Sequence, residues 1–169
     1  MVKLFDIFNP HHLNGKSLSF FCFQTFLIIT PGTILAIFLV RNFLLMLGVN
    51  DAHAIPLKSE IDFNYFIKIV IFAPVIETLI LSLLIKLVSM FFANKIIICF
   101  ISAAIFTSLH GMNGINTIVG PFILFFSFSH SFILWRKHSY KYAYIAACMP
   151  HVLNNLLAFL IYCLSYSPF

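Results

Sequence analysis

Long apolar runs separated by short polar or basic stretches organise this chain, and the runs lie at about Leu18–Leu47, Phe63–Phe92, Ile96–His110, Thr117–Trp135 and Tyr142–Tyr162. Several exceed the roughly 18–20 apolar residues needed to cross a bilayer. The pattern predicts an all-α, polytopic integral membrane helical bundle of about five transmembrane helices, in one domain and without an evident internal repeat. The first run is interrupted by Pro31-Gly32 and Arg41. It is too long for a secretory signal, whose apolar stretch is about 7–15 residues, despite Ala52-His53-Ala54 downstream. It reads as a retained helix with Pro31 as a candidate kink. A polar loop from Gly48 to Asp62 leads to the second helix, where Pro74 locally frees the backbone. Asn94-Lys95 makes a tight turn into the third helix, which Gly111-Met112-Asn113-Gly114-Ile115-Asn116 ends with turn chemistry. Arg136-Lys137-His138-Ser139-Tyr140-Lys141 forms a basic loop before the fifth helix.

Composition supports the pattern. The chain of 169 residues is 62% hydrophobic and 9% charged, against about 25% charged in soluble domains. The net charge of +5 does not imply a nucleic-acid partner, because the basic residues sit at helix ends, where membrane orientation explains them. Lys3, Lys16, Lys86, Lys95, Arg136, Lys137 and Lys141 fall on one side of a five-span arrangement, and Arg41, Lys58 and Lys68 on the other. The expectation is a cytoplasmic amino terminus and an outer carboxyl terminus. Cys22, Cys99, Cys148 and Cys163 each lie inside an apolar run without a C-x-x-C pair, and read as buried hydrophobes. The 22 phenylalanines read as lipid-facing and packing residues.

Glu77 is the only acidic residue inside the apolar runs; Asp6, Asp51, Glu60 and Asp62 all fall outside them. A charged group at the centre of a membrane helix costs about 2.5–3.5 kcal/mol, so such a residue faces partners or a polar cavity. His110 ends the third helix, with Phe106 one turn earlier, and the fifth helix carries His151 and Asn155 on one face at i and i+4. Together these groups make a kit for hydrolysis: Glu77 as general base, His110 sharing the proton work or orienting water, and His151 with Asn155 donating to an oxyanion. Taken singly, each histidine reads equally as a packing residue, and Asn155 as interhelical glue. His130, among Ser127, Ser129 and Ser131, reads as an interhelical hydrogen-bonding residue, and the terminal His11-His12 pair carries no assignment.

These residues resemble the CAAX prenyl endopeptidase and bacteriocin-processing (CPBP, or Abi) family of glutamate intramembrane proteases. That family carries A-P-x-x-E-E-x-x-x-R, then F-x-x-x-H, then H-x-x-x-N on successive membrane helices. Ala73-Pro74-Val75-Ile76-Glu77, Phe106-Thr107-Ser108-Leu109-His110 and His151-Val152-Leu153-Asn154-Asn155 match in that order. The resemblance implies a catalytic core of four membrane helices over residues 63–169, preceded by a head, first helix and loop over 1–62. It implies hydrolysis of a membrane-associated peptide or protein by water that Glu77 and His110 activate, with His151 and Asn155 stabilising the oxyanion. No cofactor is required by that mechanism. The family has also been described as metalloproteases, and the alternative is a divalent metal such as zinc held by Glu77, His110 and His151. Two positions depart from the motif: Thr78 stands for the second Glu and Ser82 for the Arg. They motivate a second reading, a catalytically silent relative that acts as a bacteriocin immunity or membrane-protein binding factor. A proton-coupled carrier is a third reading, disfavoured by the lack of an inverted repeat. A prenylated substrate exists only where proteins are prenylated. A short chain with no organelle signal points to a bacterial inner (plasma) membrane and to leader peptides or other membrane proteins.

Overall fold

Each apolar run folds as a helix in the computed structural model, which describes residues 18–48, 63–109 and 116–166. The helices are α1 (Leu18–Met46), α2 (Phe63–Val88), α3 (Lys95–Leu109), α4 (Asn116–Trp135) and α5 (Tyr140–Tyr166), with no strand among the described residues. The amino-terminal head with His11 and His12, the loop from residue 49 to 62, and His110 with the breaker residues 111–115 lie outside the described residues. The all-α expectation holds. Four helices are long and apolar enough to cross a membrane. The remaining one, α3, has 15 described residues, roughly 22 Å at 1.5 Å per residue, against a hydrocarbon core of about 30 Å.

Local chemistry sets the ends. Gly48 takes a left-handed φ of 77° beyond α1, and its N–H bonds to Leu45 O at 3.0 Å, a closure that glycine permits without a Cβ penalty. Helix α1 runs unbroken through Pro31. Helix α2 stops at Val88 rather than Phe92, and turn bonds from Met90, Phe91 and Phe92 replace the helical ladder. The Asn94 side chain caps α3 by accepting the Ile96 N–H at 2.9 Å. Ser139 does the same for Tyr142 at 3.0 Å, which is why α5 begins earlier than hydropathy alone indicates.

The bundle leaves many large apolar side chains exposed and buries small polar ones within its core. On α1 the buried positions are Phe21, Cys22, Thr25, Thr30 and Thr33, while Phe23, Leu27, Ile34, Leu35, Phe38 and Phe43 are exposed. On α2, Thr78 and Ser82 are buried with Leu81 and Ile85, while Ile76, Leu79, Ile80 and Leu83 face outward. Large apolar side chains pointing out and small polar ones pointing in suit a hydrocarbon solvent, in which helices associate by close packing and hydrogen bonds. With the spans, this marks an integral membrane protein.

Helix α4 is central and touches each of the other helices; α5 packs against α1, α2 and α4. Buried Ala143, Ala146 and Ala147 give α5 a small-residue face in the core that also holds Phe125, Phe128 and Phe132. Gly120 marks a close approach of α4 to α1, since an added Cβ would lie 3.0 Å from Ile37 Cδ1. The Phe21–Trp135 ring contact joins the start of α1 to the end of α4. Lys86, Lys95, Arg136, Lys137 and Lys141 therefore gather at one end of the bundle, with Lys68 and Arg41 towards the other.

The buried Thr30 hydroxyl donates to Asn154 Oδ1 at 2.8 Å, and Asn154 Nδ2 donates to Pro150 O at 2.8 Å, which fastens α1 to α5. Thr30→Val removes this donor at similar volume and is expected to cost about 1 kcal/mol, read as a shift in the unfolding midpoint in mixed micelles.

Candidate functional site

Glu77 on α2 and His151 on α5 each stand roughly 16 Å from the basic end of the bundle at 1.5 Å per residue, near the middle of a bilayer core. Their side chains meet, with His151 Nε2 3.4 Å from Glu77 Oε2, just beyond the roughly 2.7–3.2 Å of a direct hydrogen bond. The contact is asymmetric in exposure: the Glu77 side chain is 27% exposed and that of His151 6%. The carboxylate thus reaches the opening while the imidazole is seated in the wall.

Aromatic packing holds that imidazole. Its ring stacks on Phe128 at 4.8 Å and 24°, and meets Phe125 edge-on at 5.6 Å. Phe106 of α3 lies 4.5 Å from Phe125, so α3 braces the wall that carries His151. A cleft of about 290 Å³ opens beside the pair, lined by Ile69, Ala73, Glu77, Pro121, Phe125, Phe128, His151 and Asn155, with Leu124 completing it.

Helices α2 and α5 run antiparallel along a seam of polar contacts. Tyr140 Oη and Ser82 Oγ share a hydrogen bond of 2.6 Å. Tyr144 Oη donates to Val75 O at 2.6 Å. Beyond the Glu77–His151 contact, Asn155 Nδ2 donates to Ile69 O at 3.0 Å. Ile69 lies in a π-helical stretch, Ile67–Phe72, that precedes Pro74 within α2. The expectation of a freed backbone next to Pro74 is met by this turn.

The structure therefore brings Glu77, His151 and Asn155 to one cleft. His110 lies outside the described residues, so its place relative to them is not part of this geometry. Among the described residues no group of three His, Cys, Asp or Glu side chains converges; two of the three residues of the metal alternative, Glu77 and His151, present donor atoms to each other. His130 is partly buried on α4 and is not one of the cleft-lining residues. Cys22, Cys99 and Cys148 are buried thiols.

Thr78 and Ser82, each 1% exposed, point into the packed interior and not into the cleft. Ser82 also donates to Leu79 O at 2.7 Å. Sequence reasoning did not find Ile69, Phe125, Phe128 or Tyr144 as parts of the site. The only local signal for Ile69 was Pro74, which removes a donor within its reach.

The fold and site define a membrane-embedded helical bundle with a carboxylate–imidazole pair at mid-depth. No protein-family model matches the chain, and no curated protein or solved structure matches it either.

Phe128 is 1% exposed and supports the His151 ring. Phe128→Ala is expected to destabilise the protein by about 3 kcal/mol, measured as equilibrium unfolding in detergent. Phe128→Leu, which keeps most of the volume, is expected to cost less than half as much.

Proposed function

We propose that this protein is an intramembrane endopeptidase that hydrolyses a peptide bond of a membrane-associated peptide or protein. The observation that supports this most is the Glu77–His151 contact in a mid-depth cleft that Asn155 also lines. In the proposed reaction Glu77 acts with His110 to take a proton from water as its oxygen adds to the scissile carbonyl carbon. His151 and Asn155 donate to the oxyanion that forms. A primary amide has two N–H donors, and the bond to Ile69 uses one. Collapse of the tetrahedral intermediate breaks the C–N bond, and the proton held by the base passes to the leaving amine.

The resemblance to the CPBP proteases agrees with this assignment and with a catalytic core over residues 63–169. The reaction as drawn needs no cofactor. Its metal-dependent variant would place zinc on Glu77, His110 and His151, and chelation decides between them: cleavage that persists in chelator supports the metal-free reaction. The gathering of Lys86, Lys95, Arg136, Lys137 and Lys141 at one end supports a cytoplasmic location for that end and for the amino terminus, in a bacterial inner membrane. An amino-terminal reporter active only in the cytoplasm is expected to be active, and an inactive one would reverse the orientation.

A second reading rests on Thr78 and Ser82. Both are packed against the interior, so among the described residues the second acid and the base of the family motif have no counterpart in the cleft. A silent relative that binds a bacteriocin or another membrane protein would keep its protective effect in Glu77→Gln. The experiment is a comparison of protein termini in membranes carrying wild type or Glu77→Gln at matched expression. The protease reading expects new termini with wild type only, and loss of a general base lowers cleavage by about 10²–10⁴-fold. No difference between two folded, inserted proteins would overturn it in favour of the binding factor.

A further inference from the structure

The π turn and Pro74 have one cause. In a regular α-helix the Pro74 ring would clash with the carbonyl of Val70, and that carbonyl would have no N–H partner. The chain avoids this by a register shift: the Ala73 N–H bonds to Lys68 O, five residues back. In that register the vacancy falls one residue earlier, on Ile69. In the π register the donor to Ile69 O would be the N–H of residue 74, which a proline lacks. The Ala73 N–H, its α-register donor, is already engaged. A carbonyl left without a donor within a membrane helix is costly. The Asn155 side chain supplies the donor, at 3.0 Å, from 86 residues away.

We propose that Asn155 is a positioning residue for α2, whose carboxamide replaces the missing N–H of residue 74, holds the π turn and thereby keeps Glu77 turned into the cleft beside His151. Ile69, Ala73 and Glu77 line the same cleft, so the wall that presents the carboxylate includes the carbonyl that Asn155 holds. Tyr144 bonds the chain on the other side of the proline through Val75 O, and Asn155 bonds it before the proline through Ile69 O, where Phe159 also packs on Tyr65 and Phe66. The inference goes beyond the protease reading and does not require it, because it concerns the backbone of α2.

The test is a double-mutant cycle between Asn155→Ala and Pro74→Ala, read by thermal unfolding of the full chain in detergent and by labelling of Glu77 with a hydrophobic carbodiimide. Glu77→Gln serves as the labelling blank. Asn155→Ala alone is expected to lower Tm by roughly 5 °C. In the Pro74→Ala background, where residue 74 has its own N–H, the drop is expected to be less than half as large. In folded Asn155→Ala the carbodiimide is expected to reach Glu77 about threefold faster, as the freed segment opens the cleft. A dedicated oxyanion donor without this role predicts no dependence on residue 74. Equal Tm losses in both backgrounds, no loss with Pro74 present, or unchanged labelling would each overturn the proposal. Recovery of folded Asn155→Ala only with Pro74→Ala would support it, and failure to fold in both backgrounds would count against it.

Discussion

A proline in the middle of a membrane helix removes a backbone donor and leaves a carbonyl that needs another partner, and much of this structure follows from how Pro74 is accommodated. Helix α2 shifts into π register over Ile67–Phe72, and α5 comes alongside with side chains that bond its backbone. Tyr144 takes the Val75 carbonyl and Asn155 that of Ile69, while Tyr140 meets Ser82 further along. The helix that needs outside donors is also the helix that carries the one acidic residue of the apolar runs. The seam that satisfies the backbone therefore assembles the site.

The solvent decides the rest of the packing. Hydrocarbon gives apolar side chains little reason to turn inward, so α1 and α2 leave many phenylalanines, leucines and isoleucines outside and bring threonine and serine in beside Phe21, Leu81 and Ile85. Close approach and hydrogen bonds then hold the helices, as at Gly120 against Ile37 and Thr30 against Asn154. The aromatic core has a more specific duty. Phe106, Phe125 and Phe128 form a continuous wall across α3 and α4 on which the His151 ring rests. With its ring oriented this way, His151 presents Nε2 to Glu77.

Thr78 and Ser82 show how adjacent positions on one helix acquire different fates. Glu77 faces the cleft, whereas its neighbour Thr78 lies on the packed side, as a step of about 100° around a helix of 3.6 residues per turn requires. Ser82 returns its hydroxyl to Leu79 O and shares it with Tyr140. These small polar residues allow α2 and α5 to approach closely, where longer charged side chains would hold them apart.

Much of this was legible in the chain. Run length and composition determined an all-helical membrane bundle, and the isolation of Glu77 in an apolar run marked the place where polar groups must gather. The i, i+4 spacing of His151 and Asn155 determined that they share a face, and Pro74 that the backbone before Glu77 is irregular. Hydropathy could not say which face of each helix points inward, because lipid and core are both apolar and the pattern has little amphipathic contrast. Nor could it pair groups far apart in sequence. That Glu77 meets His151, that Phe128 orients the ring, and that the amide of Asn155 serves the carbonyl of Ile69 were decided only by the docking of α5 on α2. Hydrogen-bond partners across a bundle are set by three-dimensional proximity, and local sequence has no term for it.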